Sequence, residues 1–300
     1  MHIETLKTFC DLVDTGSFSK AAKQNLISQS AVSQQVRALE QRYGQKLLER
    51  GLPEGAIPTA PGKLLYSESK ELLERFRQLE ERLRERPSVM AGTVHVATVY
   101  SVGLHVLPPH LKRFLKANPQ VNVRLEYKRT NEVYAACASG VLQFGIVAFP
   151  LRRAQIEVVP LWHDRLLFVC SPEHRLAWRR TVRLAELGGE PFIAFDRDIP
   201  TRKAIDRILR EHRVQVARAM EFDNIETIKR SVEAGLGVSI LPDAAVANEV
   251  RSGSLIALPI RDGAFIRPIG AILRRGQELS PAGRALLAEL GTQLPQPGTG

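Results

Sequence analysis

SQSAVSQQVRALEQRYG, residues 28–44, sets a narrow apolar stripe (Ala31, Val32, Val36, Leu39) against a face of hydroxyls and amides (Ser30, Ser33, Gln34, Gln35). The spacing predicts an amphipathic helix, capped by Ser28 or Ser30 and stopped at Gly44. Upstream, Ile3, Leu6, Phe9, Cys10, Leu12 and Val13 recur at helical spacing until DTGS breaks the run at Gly16. Ser19 is positioned to cap a short second helix through KAAKQN, whose alanines permit close packing. Helix, short helix, tight turn and helix within about 45 residues is the layout of a helix-turn-helix module. That layout gives an uncharged polar face a use. Base edges in the major groove present donors and acceptors for amides and hydroxyls, while nearby cations hold phosphates. Gln29, Ser30, Ser33 and Gln34 are the candidates for base edges, and Ser19, Lys20, Lys23, Arg37 and Arg50 for the DNA backbone. A merely solvated face is the plainer reading of an isolated Ser/Gln-rich helix, so the surroundings must decide.

Downstream, TAPGKLLYSESKELLERFRQLEERLRERP opens on Thr59 as a cap with Pro61 in the first turn, and stops at Pro87 after a rod of about 40 Å. Leu65, Ser69, Leu72, Phe76, Leu79 and Leu83 follow alternating four- and three-residue steps, an a/d seam between charged flanks. A helix packed on its own domain normally shows a wider apolar face. The seam therefore predicts dimerisation through Leu65, Leu72, Phe76, Leu79 and Leu83. Two reading helices related by a two-fold axis then predict a roughly palindromic operator in double-stranded DNA.

The run LKTFCDLVDTGSFSKAAKQNLISQSAVSQQVRALEQRYGQKLLER…PTAPGKLL closely resembles the N-terminal signature of LysR-type transcriptional regulators. The matching positions include Gly16, Ser17, Phe18, Ala21, Ala22, Ser28, Gln29, Ala31, Ser33, Leu39, Glu40, Gly44, Leu47, Arg50, Thr59 and Gly62. The resemblance implies a winged helix-turn-helix that acts as a homodimer or homotetramer. One departure follows Arg50, where GLPEGAIP stands in place of a more basic wing; with Glu54 in it, this wing is expected to hold phosphate less firmly.

After RPSVMAG the texture changes to short apolar runs (TVHVATV, VNVRLEY, FGIVAF, RLLFVCS, FIAF, RAMEF, GVSILP) separated by helical patterns. These predict α/β architecture with mostly parallel sheets. Polar residues fall where strands give way to helices: Thr98, Tyr100 and Ser101; Thr130 and Asn131; Thr201 and Arg202; Asp223 and Asn224. Each alone reads as a helix cap. Together they predict a shared cleft, because ligands of open α/β sheets bind beyond the carboxyl ends of strands, at helix N-termini. The candidate effector-binding set is Thr98, Tyr100, Ser101, Thr130, Asn131, Phe149, Thr201, Arg202 and Asn224. N–H donors, hydroxyls and the charge of Arg202 favour a small anion as the ligand.

VLPPHLKRFLKANPQVNVRLE, FGIVAF and VEAGLGVSILP are similar to the effector-binding region of the same regulators, which implies two lobes around a small-molecule effector. The crossovers between lobes are expected near Phe149 to Leu151 and Leu258 to Phe265. The expected fold class is thus α/β with an all-α N-terminal winged helix-turn-helix and a C-terminal two-lobed, periplasmic-binding-protein-like (type II) domain. Its parts are a DNA-binding domain at residues 1–58, a linker and dimerisation helix at 59–87, and an effector-binding domain at 88–300. Within the last, lobe I is expected at about 91–149 and 266–292, and lobe II at about 151–258.

Composition agrees with several packed units: 300 residues, 44% hydrophobic and 25% charged. The net charge of +10 invites a polyanion, yet residues 1–90 hold fourteen Lys and Arg against twelve Asp and Glu, so global charge does not locate a DNA surface. No apolar run is long enough for a membrane span, and MHIETLKTFCDLVD is an amphipathic helix rather than a cleavable signal, so a cytoplasmic protein is expected. Cys10, Cys137 and Cys170 are widely separated and read as buried thiols. His2, His95, His105, His110, His163, His174 and His212 form no HxH or HExxH spacing; His105 and His110 are expected on one helix without acidic neighbours. Neither GxSxG nor GxxxxGK[ST] occurs, and GLGVS at 235–239 follows a helix and precedes a strand, the reverse of a nucleotide loop. No enzyme, metal or cofactor is expected. A solute-binding-like protein without DNA function is the alternative that residues 91–300 alone would support; the first ninety residues favour the regulator.

Overall fold

A computed structural model describes residues 2–52, 55–84 and 90–291, and the chain divides into two units, residues 1–85 and 86–300. The first is built on α1 (Ile3–Thr15), α2 (Phe18–Gln24) and α3 (Gln29–Tyr43). Ser17, not Ser19, caps α2 by accepting from the Lys20 N–H: Ser17 holds extended backbone ahead of the helix, whereas Ser19 already lies inside it. Ser28 caps α3 by accepting from the Ala31 N–H, and Gly44 ends it at φ 63°, a left-handed conformation open to glycine at little cost. Phe9, Leu12, Ala22, Val32, Val36 and Leu39 close one buried core, which Leu47, Leu48 and Ala56 extend into the wing. The wing is the antiparallel pair β1 (Leu48–Leu52) and β2 (Gly55–Pro58). Glu40 ties it to α3, its Oε1 accepting from the N–H groups of Leu47 at 3.0 Å and Leu48 at 3.4 Å.

The long helix α4 (Ala60–Arg84) starts under Thr59, whose Oγ1 accepts from the Gly62 N–H at 3.2 Å. A Cβ at Gly62 would lie 2.0 Å from the Leu47 carbonyl oxygen, so only glycine lets the helix pass there. The first half of α4 has a partner within its own unit: Leu65 and Tyr66 pack on the helical core, Ser69 is buried, and Lys70 pairs with Asp14 at 2.6 Å. Leu65 is thus half-buried against its own domain's core. Leu72, Phe76 and Leu79 are 46%, 41% and 52% exposed. The side chains of Arg50 and Leu83, and all of Glu54, lie outside the described residues.

The second unit opens with β3 (Gly92–Thr98), α5 (Tyr100–His105), α6 (Leu107–Ala117), β4 (Val121–Tyr127), α7 (Thr130–Ser139) and β5 (Phe144–Ala148). His105 and His110 fall on successive helices rather than one, because Pro108 and Pro109 occupy the first turn of α6 and supply no N–H to continue α5. His105 also has an acidic neighbour from the other lobe, Glu226, whose Oε1 is 2.7 Å from its Nε2. Then come β6 (Ile156–Cys170), β7 (Pro191–Phe195), α8 (Pro200–Glu211), β8 (Ala217–Phe222), α9 (Ile225–Glu233), β9 (Ser239–Pro242), α10 (Asp243–Ser252), β10 (Ile256–Leu258), β11 (Ile266–Arg274) and α11 (Pro281–Gly291).

Strands β3, β4 and β5 are parallel, β7 pairs in parallel with β8, and β6, β9, β10 and β11 pair antiparallel, so the sheets are mixed rather than mostly parallel. The 15-residue strand β6 serves both lobes: Ile156–Arg165 pairs with β11, and Leu166–Cys170 with β9 and β10. The first crossover therefore lies inside β6 near Arg165, not at Phe149 to Leu151, and residues 151–165 go with lobe I. The turn after FGIVAF stays within lobe I, and a strand long enough to belong to two sheets makes the crossing with no break at all. The return runs through residues 259–265, between β10 and β11. Each lobe has its own core, around Val96, Phe144 and Ile269 in lobe I and around Phe168, Ile193 and Ile228 in lobe II. The three cysteines are buried thiols, and burial pushes Cys137 up to about 12 and Cys10 and Cys170 to about 11.

Candidate DNA-reading helix and effector cleft

On α3, Gln29, Ser30, Gln34 and Arg37 are exposed and Ser33 is half-buried, on the face opposite the buried Val32, Val36 and Leu39. Ser19, Lys20 and Lys23 are exposed on α2. Lys20, Lys23 and Arg37 have no acidic partner among the described residues. The interior takes the branched side chains of α3, and what remains outward is a row of neutral donors and acceptors with cations beside it.

In the second unit a cavity of about 320 Å³ lies between the lobes. Tyr100, Ser101, Thr130, Asn131 and Phe149 line it from lobe I, and Thr201 from lobe II. Tyr100 stacks on Tyr127 at 5.4 Å between centroids, giving one wall an aromatic face. Thr201 is 2% exposed, yet its hydroxyl has no hydrogen-bond partner among the described residues. It sits in the first turn of α8, which begins with Pro200 and has no side-chain cap at Ile199. A hydroxyl on the cavity wall, at the start of a helix without a side-chain cap, adds a donor beside the N–H groups of that first turn. Ser101 accepts from Arg267 Nη1 at 3.0 Å, which leaves its own proton free to donate.

Three expected residues lie off the cavity wall. Thr98 is fully buried under it, donating to the Ile146 carbonyl at 3.2 Å. Asn224 caps α9 by accepting from the Glu226 N–H at 2.9 Å. Arg202 points into lobe II, where Nε donates to Asp206 at 2.8 Å, Nη2 to Glu221 at 3.0 Å and Nη1 to the Phe195 carbonyl. Burial opposes its charge, but Glu221 and Asp206 outweigh that and raise its pKa. Successive residues of a helix point about 100° apart, so Arg202, next to Thr201 in sequence, faces away from the cavity.

The charge that does reach the cavity comes from residues the sequence reading passed over. Arg267 is buried on β11, with Nε donating at 3.0 Å to Oδ2 of the equally buried Asp164 on β6; the Trp162 indole N–H holds Oδ1 at 3.2 Å. An arginine inside the apolar run FIRPIG and an aspartate inside LWHDRLLF were the legible signals for this pair. Arg129, just ahead of α7, reaches across the cleft to Asp223 at 2.9 Å and to Asp196 and Asp198 at 3.2 Å each. Its hydrogen bond to Asp223, followed by the charge of Asp198, raises its pKa. Arg153, which stacks over the Tyr134 ring at 3.9 Å, and Lys203 also line the cavity and have no carboxylate partner among the described residues. Among the described residues no cluster of His, Cys, Asp and Glu could hold a metal ion, and no helix is long and apolar enough to cross a membrane.

Residues 3–63 match the family model of the bacterial regulatory helix-turn-helix protein, lysR family, and residues 87–295 match that of the LysR substrate binding domain. The RuBisCO operon transcriptional regulator of Allochromatium vinosum is 27% identical over 287 residues, covering 95% of this chain and 94% of its own. The uncharacterized HTH-type transcriptional regulator YeiE of Escherichia coli K12 is 29% identical over 289 residues, covering 96% and 97%. Among solved structures, CbnR, a LysR family transcriptional regulator, aligns with a TM-score of 0.79 at 22% identity over 97% of this chain and 98% of its own. Full-length CbnR complexed with its target DNA aligns with the same TM-score at 23% identity, over 97% and 99%. At these identities the structural likeness speaks for the fold.

Proposed function

The chain belongs to the LysR family of bacterial helix-turn-helix regulators, and from that premise we propose how its parts divide the work. It is a DNA-binding transcriptional regulator with an effector-binding domain, acting where the DNA is, in the cytoplasm. Gln29, Ser30, Ser33 and Gln34 read base edges from α3, and Lys20, Lys23, Arg37 and Arg50, with Ser19, hold the phosphates. The observation that carries this is the outward row of neutral amides and hydroxyls, whose donors and acceptors match bases rather than charges. CbnR, whose complex with target DNA has this fold, supports the reading by analogy. Gln29→Ala is expected to weaken operator binding by about 1–3 kcal/mol while leaving random-DNA binding unchanged, as measured by gel shift on DNA flanking the gene. Equal losses on both DNAs would remove base reading by Gln29.

The cleft binds a small anion through Ser101, Thr201 and the N-terminus of α8, with Tyr100, Thr130, Asn131 and Phe149 shaping the wall. The unpartnered Thr201 hydroxyl supports this most directly. Neutral donors pair with an oxyanion without adding a desolvated cation, and Arg267, compensated by Asp164, orients Ser101 rather than supplying net charge. A panel of small carboxylates and inorganic oxyanions is expected to raise the thermal midpoint of the wild type and to do so much less for Thr201→Val. An undiminished shift in the variant would move the site elsewhere; stabilisation by neutral or cationic compounds alone would end the anion assignment.

A further inference from the structure

We propose that Arg129 is a positioning residue for the effector cleft: a charge clamp that sets the spacing of the two lobes while the cleft is empty, and for which an acidic group on the effector competes. The proposal rests on the reading of this cleft as the effector site only for its second half; the clamp itself stands on geometry. The guanidinium leaves lobe I just ahead of α7 and meets three carboxylates of lobe II, Asp196 and Asp198 from the loop before α8 and Asp223 from the loop before α9. One positive charge against three negative ones leaves the cluster short of cations. Withdrawing Arg129 would leave three like charges together on the tips of two loops, with repulsion working against their present placement. The other cations on the cavity wall do not take its place: Lys128 pairs with Glu126 at 3.2 Å, Arg267 with Asp164, Arg153 lies over Tyr134, and neither Arg153 nor Lys203 touches a carboxylate among the described residues. Arg197 reaches Glu221 at 3.7 Å instead.

The same loops carry the binding groups. Asp198 is three residues from Thr201, so holding Asp198 toward lobe I also holds the N-terminus of α8 over the cavity that Ser101 lines from the other side. An arginine suits this place because its planar fork offers five N–H donors and can serve several oxygens at once, where a lysine ammonium presents a point charge on a flexible stem. A ligand oxyanion offers that fork the same partner chemistry as the three aspartates. Effector binding and release of the clamp are then linked: the acid that enters draws Arg129 to itself, and lobe II loses its hold at Asp196, Asp198 and Asp223. The tie at His105 and Glu226 does not involve the clamp and keeps the lobes together at a second point.

Hydrogen exchange on the full-length, ligand-free protein tests the clamp without knowing the effector. In about 0.05 M salt, Arg129→Gln is expected to speed amide exchange in residues 196–203 and 223–228 roughly fivefold, with α3 unaffected. The triple change Asp196→Asn, Asp198→Asn, Asp223→Asn should reproduce that rate from the opposite side. Raising sodium chloride to about 0.5 M should bring the wild type toward the rate of the triple variant and leave the triple variant unmoved, because exposed charges are screened over a few ångströms; in Arg129→Gln the same salt relieves the repulsion among the three aspartates and does not speed exchange further. A merely structural Arg129 would not lose its salt response in this way. Wild-type exchange in Arg129→Gln, or in the triple variant, at low salt would overturn the clamp, as would a salt-independent wild type. Loss of the anion shift assigned to Thr201 would leave these rates untouched, so the two assignments fail separately.

Discussion

Substituting both Leu72 and Leu79 with glutamate is expected to convert the protein to monomers that no longer hold a two-half-site operator. Leu72, Phe76 and Leu79 lie in the second half of α4, partly open to solvent in the single chain, while in the first half Ser69 is buried and Leu65 half-buried against the chain's own helices. Covering a leucine removes apolar surface worth about 1.5–3 kcal/mol from water, and two opposed copies do this at each seam position. Glutamates at both positions replace that gain with like charges facing each other across the axis. A monomer engages one half-site at a time, so it forfeits the effective concentration that linking two reading helices provides, a loss of about 10² to 10⁴ in apparent affinity. Sedimentation and gel shift on a two-half-site probe measure both steps. An unchanged sedimentation coefficient in the double variant would show that another surface holds the oligomer together.

Asp164→Ala is expected to destabilise the effector-binding unit by about 3–5 kcal/mol, because it strands the Arg267 guanidinium in a site where water does not reach it. Arg267 is 1% exposed and Asp164 3% exposed. Two of the guanidinium nitrogens, Nε and Nη2, donate to Oδ2 of Asp164, and the third donates to Ser101. The pair sits side by side in the β6–β11 register, next to the point where β6 passes from one lobe's sheet to the other's. Loss of the carboxylate also frees the Trp162 indole N–H, so tryptophan fluorescence should report the change along with chemical denaturation. Replacing both members with apolar residues, Asp164→Leu with Arg267→Met, should recover much of the stability, since the penalty comes from an unpaired charge rather than from a missing attraction. The double variant would still lack the donor that orients Ser101, and it is expected to bind anions poorly even where it folds well. A single Asp164→Ala variant as stable as the wild type would mean that water enters this junction.

The sequence by itself determined the elements whose signals are local. The polar face of α3, its cap at Ser28 and its stop at Gly44 are written in adjacent residues, because a helix's period and termini depend on side chains within a few positions of one another. The same holds for Thr59 at the start of α4, and for the hydroxyls at Ser101 and Thr201, which strand-to-helix junctions place at the cleft. What spans the chain was left to the tertiary structure. Leu65 and Leu72 occupy equivalent steps of one seam, and only the packing of α1 against α4 separates the covered position from the open one. β6 reads as a single strand whether it serves one sheet or two, since strand periodicity carries no mark of the partner. Arg202 and Arg129 are both arginines beside a helix start. The first is drawn into lobe II by Asp206 and Glu221, and the second is drawn across the cleft by carboxylates 67 to 94 residues away. A charge settles where its counter-charges are, and three-dimensional proximity, not spacing along the chain, decides which counter-charges it meets.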